Sequence, residues 1–174
     1  MLLHKVGRQF VISRNLATKS SVKKCHLVNR SVIRVQGTES AEFLQGLMTN
    51  DIQHLTHNEV NDSAIFAMFL NTQGRVMFDT FISKNKIDDQ EYLIDCDREM
   101  SGKLVKHLKM YRVRRKLTID IEENDHVMAV FHPENIIDKI PDDFKCKTSY
   151  NDTRVKDMGF RVISSDCSAN TDLK

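Results

Sequence analysis

Apolar residues recur along this chain in two periods, and the switches between them mark its elements. Alternation over 25–28 and 32–35, about the polar break Asn29-Arg30-Ser31, predicts two short strands around a bend. Gly37 ends that run. Thr38 then stands where a cap is expected for a helix over 39–48, with Glu39 and Glu42 near its positive end and Ala41, Leu44, Leu47 and Met48 as its buried stripe. The fully apolar run 65–70 predicts a strand, Asn71-Thr72-Gln73-Gly74 a turn, 76–83 the return strand and 91–96 a third strand of the same meander. Asp97 is placed to cap a second helix reaching about Tyr111. There Met100, Leu104, Val105, Leu108 and Tyr111 recur at three and four. Strands over 117–121 and 127–131 follow. Beyond Pro133 the pattern weakens: 142–152 is polar and mixed, 160–163 fits one more strand, and 164–174 reads as unstructured.

Strand, helix, strands, helix, strand is an α+β order of the split β-α-β, ferredoxin-like kind. It places one domain over 25–132, with 133–174 as the start of a second domain and a polar tail. At 174 residues, 40% of them apolar and only two Pro, the chain suits a packed core.

Charge changes the picture at the front. Up to Thr38 there are eight Lys or Arg and no acid, whereas from Glu39 onward 18 basic residues face 24 acidic ones. Within an expected leader over 1–24, residues 1–20 carry Lys5, Arg8, Arg14 and Lys19, with Leu3, Val6 and Phe10 on one face of a short amphipathic helix. Basic, Ser-bearing and acid-free is the composition of a mitochondrial presequence, and the expected destination is the mitochondrial matrix. A plain basic tail is the bland reading. No apolar run approaches the roughly 18 residues of a membrane span, so no membrane partner is expected.

Cys25, Cys96, Cys146 and Cys167 lie far apart without a CxxC pair, and the seven His form no HxxxH or HxxE. No metal site follows from either set. Cys96 is expected to be buried in its strand; His54 and His57 are read as exposed in a loop. Ser-His-Asp order, nucleophile elbow and phosphate loop are all missing, so no catalytic nucleophile is assigned.

Two polar elements carry the candidate chemistry. Phe43-Leu44-Gln45-Gly46-Leu47-Met48-Thr49-Asn50-Asp51 runs an apolar helix turn into short polar residues, and Gly74-Arg75-Val76-Met77-Phe78-Asp79 brings a cation and an acid back after one strand. Placed this way, they can line one cavity. Alternation sets Asp79 on the face opposite Phe78, with Met77 and Phe81, where an acid needs a partner or a ligand. Arg75 can pair with it or bind an anionic tail. Asn50 and Asp51 also suit a turn at the helix end. The cluster Arg112, Arg114, Arg115 and Lys116 reads as a helix-end cap beside a solvated strand start; its alternative, nucleic-acid binding, fits poorly with an acidic body, and no nucleic-acid partner is expected.

Four segments together resemble the folate-binding-like family that contains bacterial YgfZ, its mitochondrial iron–sulfur assembly relatives and, more distantly, the glycine-cleavage aminomethyltransferase. They are Phe43 to Asp51, Gly74 to Asp79, Tyr111-Arg112-Val113-Arg114-Arg115-Lys116, and Asp152-Thr153-Arg154 with Gly159-Phe160-Arg161. The resemblance implies the first domain of that fold and a factor in maturation of [4Fe–4S] proteins, working alongside A-type scaffold proteins. It also implies a tetrahydrofolate site at Asn50, Asp51, Arg75 and Asp79, facing a pterin-like ring. Two departures qualify it. The Lys-Gly-Cys-Tyr-x-Gly-Gln-Glu signature of the YgfZ branch is absent, since Cys167 lies in Ser-Asp-Cys-Ser, so a shortened product is the expectation. The transferases' paired aspartates are here Phe78-Asp79, which argues against the rival reading of a folate-dependent one-carbon transferase and towards a binding protein without covalent catalysis. An inert binding module is the third reading.

Overall fold

A computed structural model describes residues 22–55, 63–132, 137, 140, 145–152, 154 and 158–166. Most of the expected presequence, His57, Cys167 and the segment 167–174 lie outside the described residues. The elements run β1 (Lys23–His26), β2 (Arg30–Gln36), α1 (Ser40–Gln45), β3 (Ala64–Leu70), β4 (Val76–Lys84), β5 (Glu91–Asp97), α2 (Arg98–Tyr111), β6 (Thr118–Glu122), β7 (His126–Phe131), β8 (Thr148–Asn151) and β9 (Phe160–Ser164), with a 3-10 turn at Ile52–Leu55. This is the α+β class expected.

Two antiparallel sheets form. The larger has the order β3-β4-β5-β2-β6, and the smaller β1-β7-β9-β8. Within the larger, β6-β2-β5-β4 is the split β-α-β arrangement, extended by β3 at the edge. One face of this sheet is sealed by the two helices: Phe43 and Leu44 of α1 and Leu104 and Leu108 of α2 pack on Ile33, Ile65, Phe69, Ile82 and Ile94. The other face, with Val32, Phe81 and Leu93, packs on Val127, Tyr150 and Ile163 of the smaller sheet. The molecule is thus layered as helices, five strands, four strands. β1 begins at Lys23, inside the range assigned to the presequence, and pairs with β7. β8 and β9, assigned to the start of a second domain, complete that same sheet through β9 pairing with β7.

α2 starts where expected, the Asp97 carboxylate accepting from the Glu99 amide at 2.8 Å. α1 does not. Thr38 gives no cap; the N-cap position is Glu39, and no side chain caps the helix. The Glu39 carboxylate instead accepts the Lys116 amide at 2.8 Å, tying the helix start to the turn after α2. Nor does α1 reach residue 48. Met48 forms a bridge to Phe69 and the Thr49 amide donates to the Met68 carbonyl, so the chain leaves the helix at Gly46 to satisfy the exposed edge of β3. β8 falls in a polar stretch read as mixed; Thr148 and Tyr150 alternate inward there, a two-residue signal too short to register.

Candidate functional site

The face of the larger sheet turned away from the helices carries the polar chemistry of this molecule. Its centre is Asp95, fully buried in a strand whose other central residues are apolar. Arg30 reaches it from β2, Nε to Oδ1 at 2.6 Å, and its second nitrogen donates to the Asp95 carbonyl at 3.0 Å. From the opposing sheet Arg161 donates Nη1 to Oδ2 at 2.8 Å and the Tyr150 hydroxyl donates to the same oxygen at 3.0 Å. Arg161 also binds Asp152 at 3.1 Å, which in turn accepts from Arg154 at 2.8 Å. One chain of charges, Arg30–Asp95–Arg161–Asp152–Arg154, therefore bolts the two sheets together. The Phe81 ring lies among them, with the Arg161 guanidinium 4.5 Å and the Arg154 guanidinium 4.7 Å from its centroid, both within cation–π range.

Burial would raise the Asp152 carboxyl, but the hydrogen bonds from Arg154 and the charge of Arg161 outweigh it and hold it at about 2. Arg154 is held above the usual guanidinium range, first by its hydrogen bond with Asp152 and then, against the cost of burial, by the charges of Asp152, Asp79 and Asp95. Burial, with the Asp95 charge beside it, pushes the Cys96 thiol up to about 12, so this thiol stays protonated and unreactive near neutral pH. Cys96 is buried as expected, and Cys25 and Cys146 are free thiols. Among the described residues no group of three or more His, Cys, Asp or Glu is arranged to hold a metal.

Asp79 lies where this buried chain meets the surface. It stands across from Met68 in the β3–β4 pair, on the face of Phe81 as alternation predicts. Its side chain is exposed, so the expectation of a dehydrated acid on an apolar face is corrected: the smaller sheet covers β4 from Phe81 onward but stops short of Asp79. No ion pair joins Arg75 to Asp79 among the described residues. Arg75 sits exposed at the hairpin tip, about 13 Å along the strand at four extended residues.

The post-helix segment is nearby, on the other side of β3. Thr49 bonds to Met68 at its amide and its hydroxyl, which leaves Thr49 and Asp79 about 10 Å apart, two strand spacings. Asn50 is used by the fold: its Nδ2 donates to the Phe66 carbonyl at 3.0 Å and its Oδ1 accepts the Asp51 amide at 2.8 Å. Asp51 Oδ1 accepts the Gln53 amide at 2.9 Å, starting the 3-10 turn. Both make the turn contacts that short polar residues at a helix end provide. Half-buried Phe66 and Met68 share this face of β3 and β4 with the exposed Asp79, and the Arg154 guanidinium lies 5.7 Å from the Phe66 ring centroid. The exposed Asp79 carboxylate fits the amine edge of a heterocycle, whereas Arg154 is already engaged by Asp152 and the Phe81 ring.

The sequence reading assigned no role to Arg30, Asp95, Tyr150 or Arg161. Asp95 amid Tyr92-Leu93-Ile94 was the available signal, because a lone acid in an apolar strand demands cations from elsewhere.

No protein-family model matches the chain. The mitochondrial iron–sulfur cluster assembly factor IBA57 of Mus musculus is 35% identical over 111 residues, covering 60% of this chain and 31% of the mouse protein. The IBA57 homolog of Dictyostelium discoideum is 30% identical over 138 residues, 67% of this chain and 34% of that protein. This chain thus spans about a third of the length of these relatives. Among solved structures, the glycine cleavage system aminomethyltransferase T from Bartonella henselae superposes with a TM-score of 0.61 over 82% of this chain and 42% of that one, at 11% identity. That likeness establishes the fold. By sequence the chain is thus similar to about a third of the length of the mitochondrial IBA57 iron–sulfur cluster assembly factors, and by fold to the aminomethyltransferase.

Proposed function

We propose that this protein is a mitochondrial assembly factor that supports maturation of [4Fe–4S] proteins. The observation that carries the reading is the 35% identity to mouse IBA57, a relative named as a mitochondrial iron–sulfur cluster assembly factor. Loss of the gene is expected to lower aconitase activity and protein lipoylation, both dependent on [4Fe–4S] enzymes, with total aconitase protein unchanged. Normal activity of both in the deletion strain would refute the assignment.

Within that function we assign tetrahydrofolate to the open face beside Asp79, the site proposed to include Asn50, Asp51 and Arg75 as its rim, and an A-type scaffold protein as the partner in the matrix. The folate supplies no step here; the chain's residues hold it. Phe66 and Met68 would give its ring apolar contact, Asp79 would accept from its amine edge, and the exposed Arg75 would take its anionic tail. Titration calorimetry with tetrahydrofolate is expected to show binding that Asp79→Ala weakens about tenfold, the worth of one charge-assisted hydrogen bond. Because Asp79 is exposed, that variant should keep its thermal midpoint. An absence of heat, or unaltered binding by the variant, would remove folate from the assignment.

A further inference from the structure

On the side of the larger sheet opposite Asp79, the last turns of α2 and the turn that follows form an exposed ridge. Its cations alternate with apolar side chains: Lys106, Met110, Tyr111, Arg112, Val113 and Arg114 are all exposed. Met110 is 62% and Val113 71% exposed, and with Tyr111 between them they put three neighbouring apolar side chains on the ridge. The ridge is also held in an uncommon shape. Arg114 has φ +58, a left-handed conformation that a side chain with a Cβ resists. The surroundings enforce it: the Arg115 amide donates to the Arg112 carbonyl, Arg115 pairs with Glu42, and the Lys116 amide is taken by Glu39. Lys109 pairs with Asp120, but neither Lys106 nor Arg114 has an ion pair among the described residues. Strain of this kind gathers where a fold presents a side chain rather than hides it.

We propose that this ridge docks an acidic protein surface, whose carboxylates meet Lys106, Arg112 and Arg114 and whose apolar side chains cover Met110 and Val113. Three observations select protein over the other polyanions. Arg, Met and Tyr are the residues enriched at the centres of protein interfaces. The guanidinium of Arg114 is presented from a fixed backbone, suiting bidentate carboxylate recognition. And acids flank the ridge, with Asp120 on one side and Glu39 and Glu42 on the other. A uniformly negative lipid or phosphate surface meets those acids as repulsion, whereas a patterned protein surface can place cations against them. From Glu39 onward the chain is net acidic, so the ridge stands as a positive feature on a negative body, the arrangement that steers a charged partner into register.

The test uses the whole chain and a labelled synthetic peptide alternating Glu with Leu, followed by fluorescence anisotropy at physiological salt. Lys106→Glu with Arg114→Glu is expected to weaken binding about tenfold or more, by reversing two contacts. Met110→Ser with Val113→Ser is expected to weaken it about threefold, through lost apolar cover. All four positions are exposed, so circular dichroism should show each variant folded. The proposal fails if the peptide does not bind, or if the serine variant binds as well as wild type. It fails equally if phosphatidylcholine–cardiolipin vesicles or oligouridylate bind more tightly than the peptide. Sedimentation showing a dimer that the same charge reversals dissociate would overturn it in favour of a second copy as the occupant.

Discussion

Asp95→Ala should unfold this protein at a much lower urea concentration than wild type. The carboxylate is fully buried and takes hydrogen bonds from Arg30, Arg161 and Tyr150. Truncating it strands the Arg30 guanidinium, whose side chain is only 13% exposed, without an anion, and leaves Arg161, 12% exposed, with Asp152 alone. Removing one partner of a buried ion pair costs about 3–5 kcal/mol, a large share of the roughly 5–15 kcal/mol that holds a domain folded. Asp95→Asn keeps the volume and an acceptor and should fall between the two. Asp79→Ala, on the same face but exposed, serves as the comparison and should shift the midpoint little. If Asp95→Ala costs less than about 1 kcal/mol, the charge chain does not join the sheets.

Gly159→Ala is the second large effect, and it acts through the backbone. Gly159 has φ +93 where the chain turns into β9, and a Cβ there would lie 2.4 Å from the Val130 carbonyl oxygen and 3.0 Å from the Phe131 Cβ. Neither neighbour can yield without opening the β7–β9 pairing that begins at Val130 and Phe160. The left-handed conformation costs about 1–2 kcal/mol, and the overpacking about 1–3 kcal/mol more. Because Arg161 lies two residues on, a displaced β9 also lifts its guanidinium from Asp95. Gly74→Ala isolates the conformational part: its φ is +78, but nothing lies within 4 Å of a new Cβ. Thermal unfolding should therefore separate the two alanine variants clearly, with Gly159→Ala melting lower. Equal midpoints would show that the close approach at Val130 carries no energy.

Local periodicity made most of the fold legible. The meander of β3, β4 and β5 and the capped α2 are sequence-local objects, and the alternation through Phe78, Asp79 and Phe81 put Asp79 on the correct face. What failed was governed by partners distant in sequence. Leu47 and Met48 have helical spacing, yet the free edge of β3 draws that segment out of α1. Thr38 resembles a cap, but α1 is anchored through Glu39 to a turn 77 residues away. Arg30 and Arg161 meet Asp95 across 65 and 66 residues. No window along the chain contains that cluster. Exposure of Asp79 was equally hidden, because how far one sheet overhangs another is decided by strand lengths in both.

The smaller sheet has a consequence for how the chain is made. Its strands are drawn from residues 23–26, 126–131, 148–151 and 160–164, so it cannot close until nearly the whole described chain has been synthesised. Until then Val32, Phe81 and Leu93 lie bare on the growing polypeptide, together with an Asp95 that has Arg30 but lacks Arg161 and Tyr150. Such late, long-range closure is slow and leaves sticky surface open to wrong neighbours. The arrival of residues 160–164 therefore decides how long that half-built face stays uncovered.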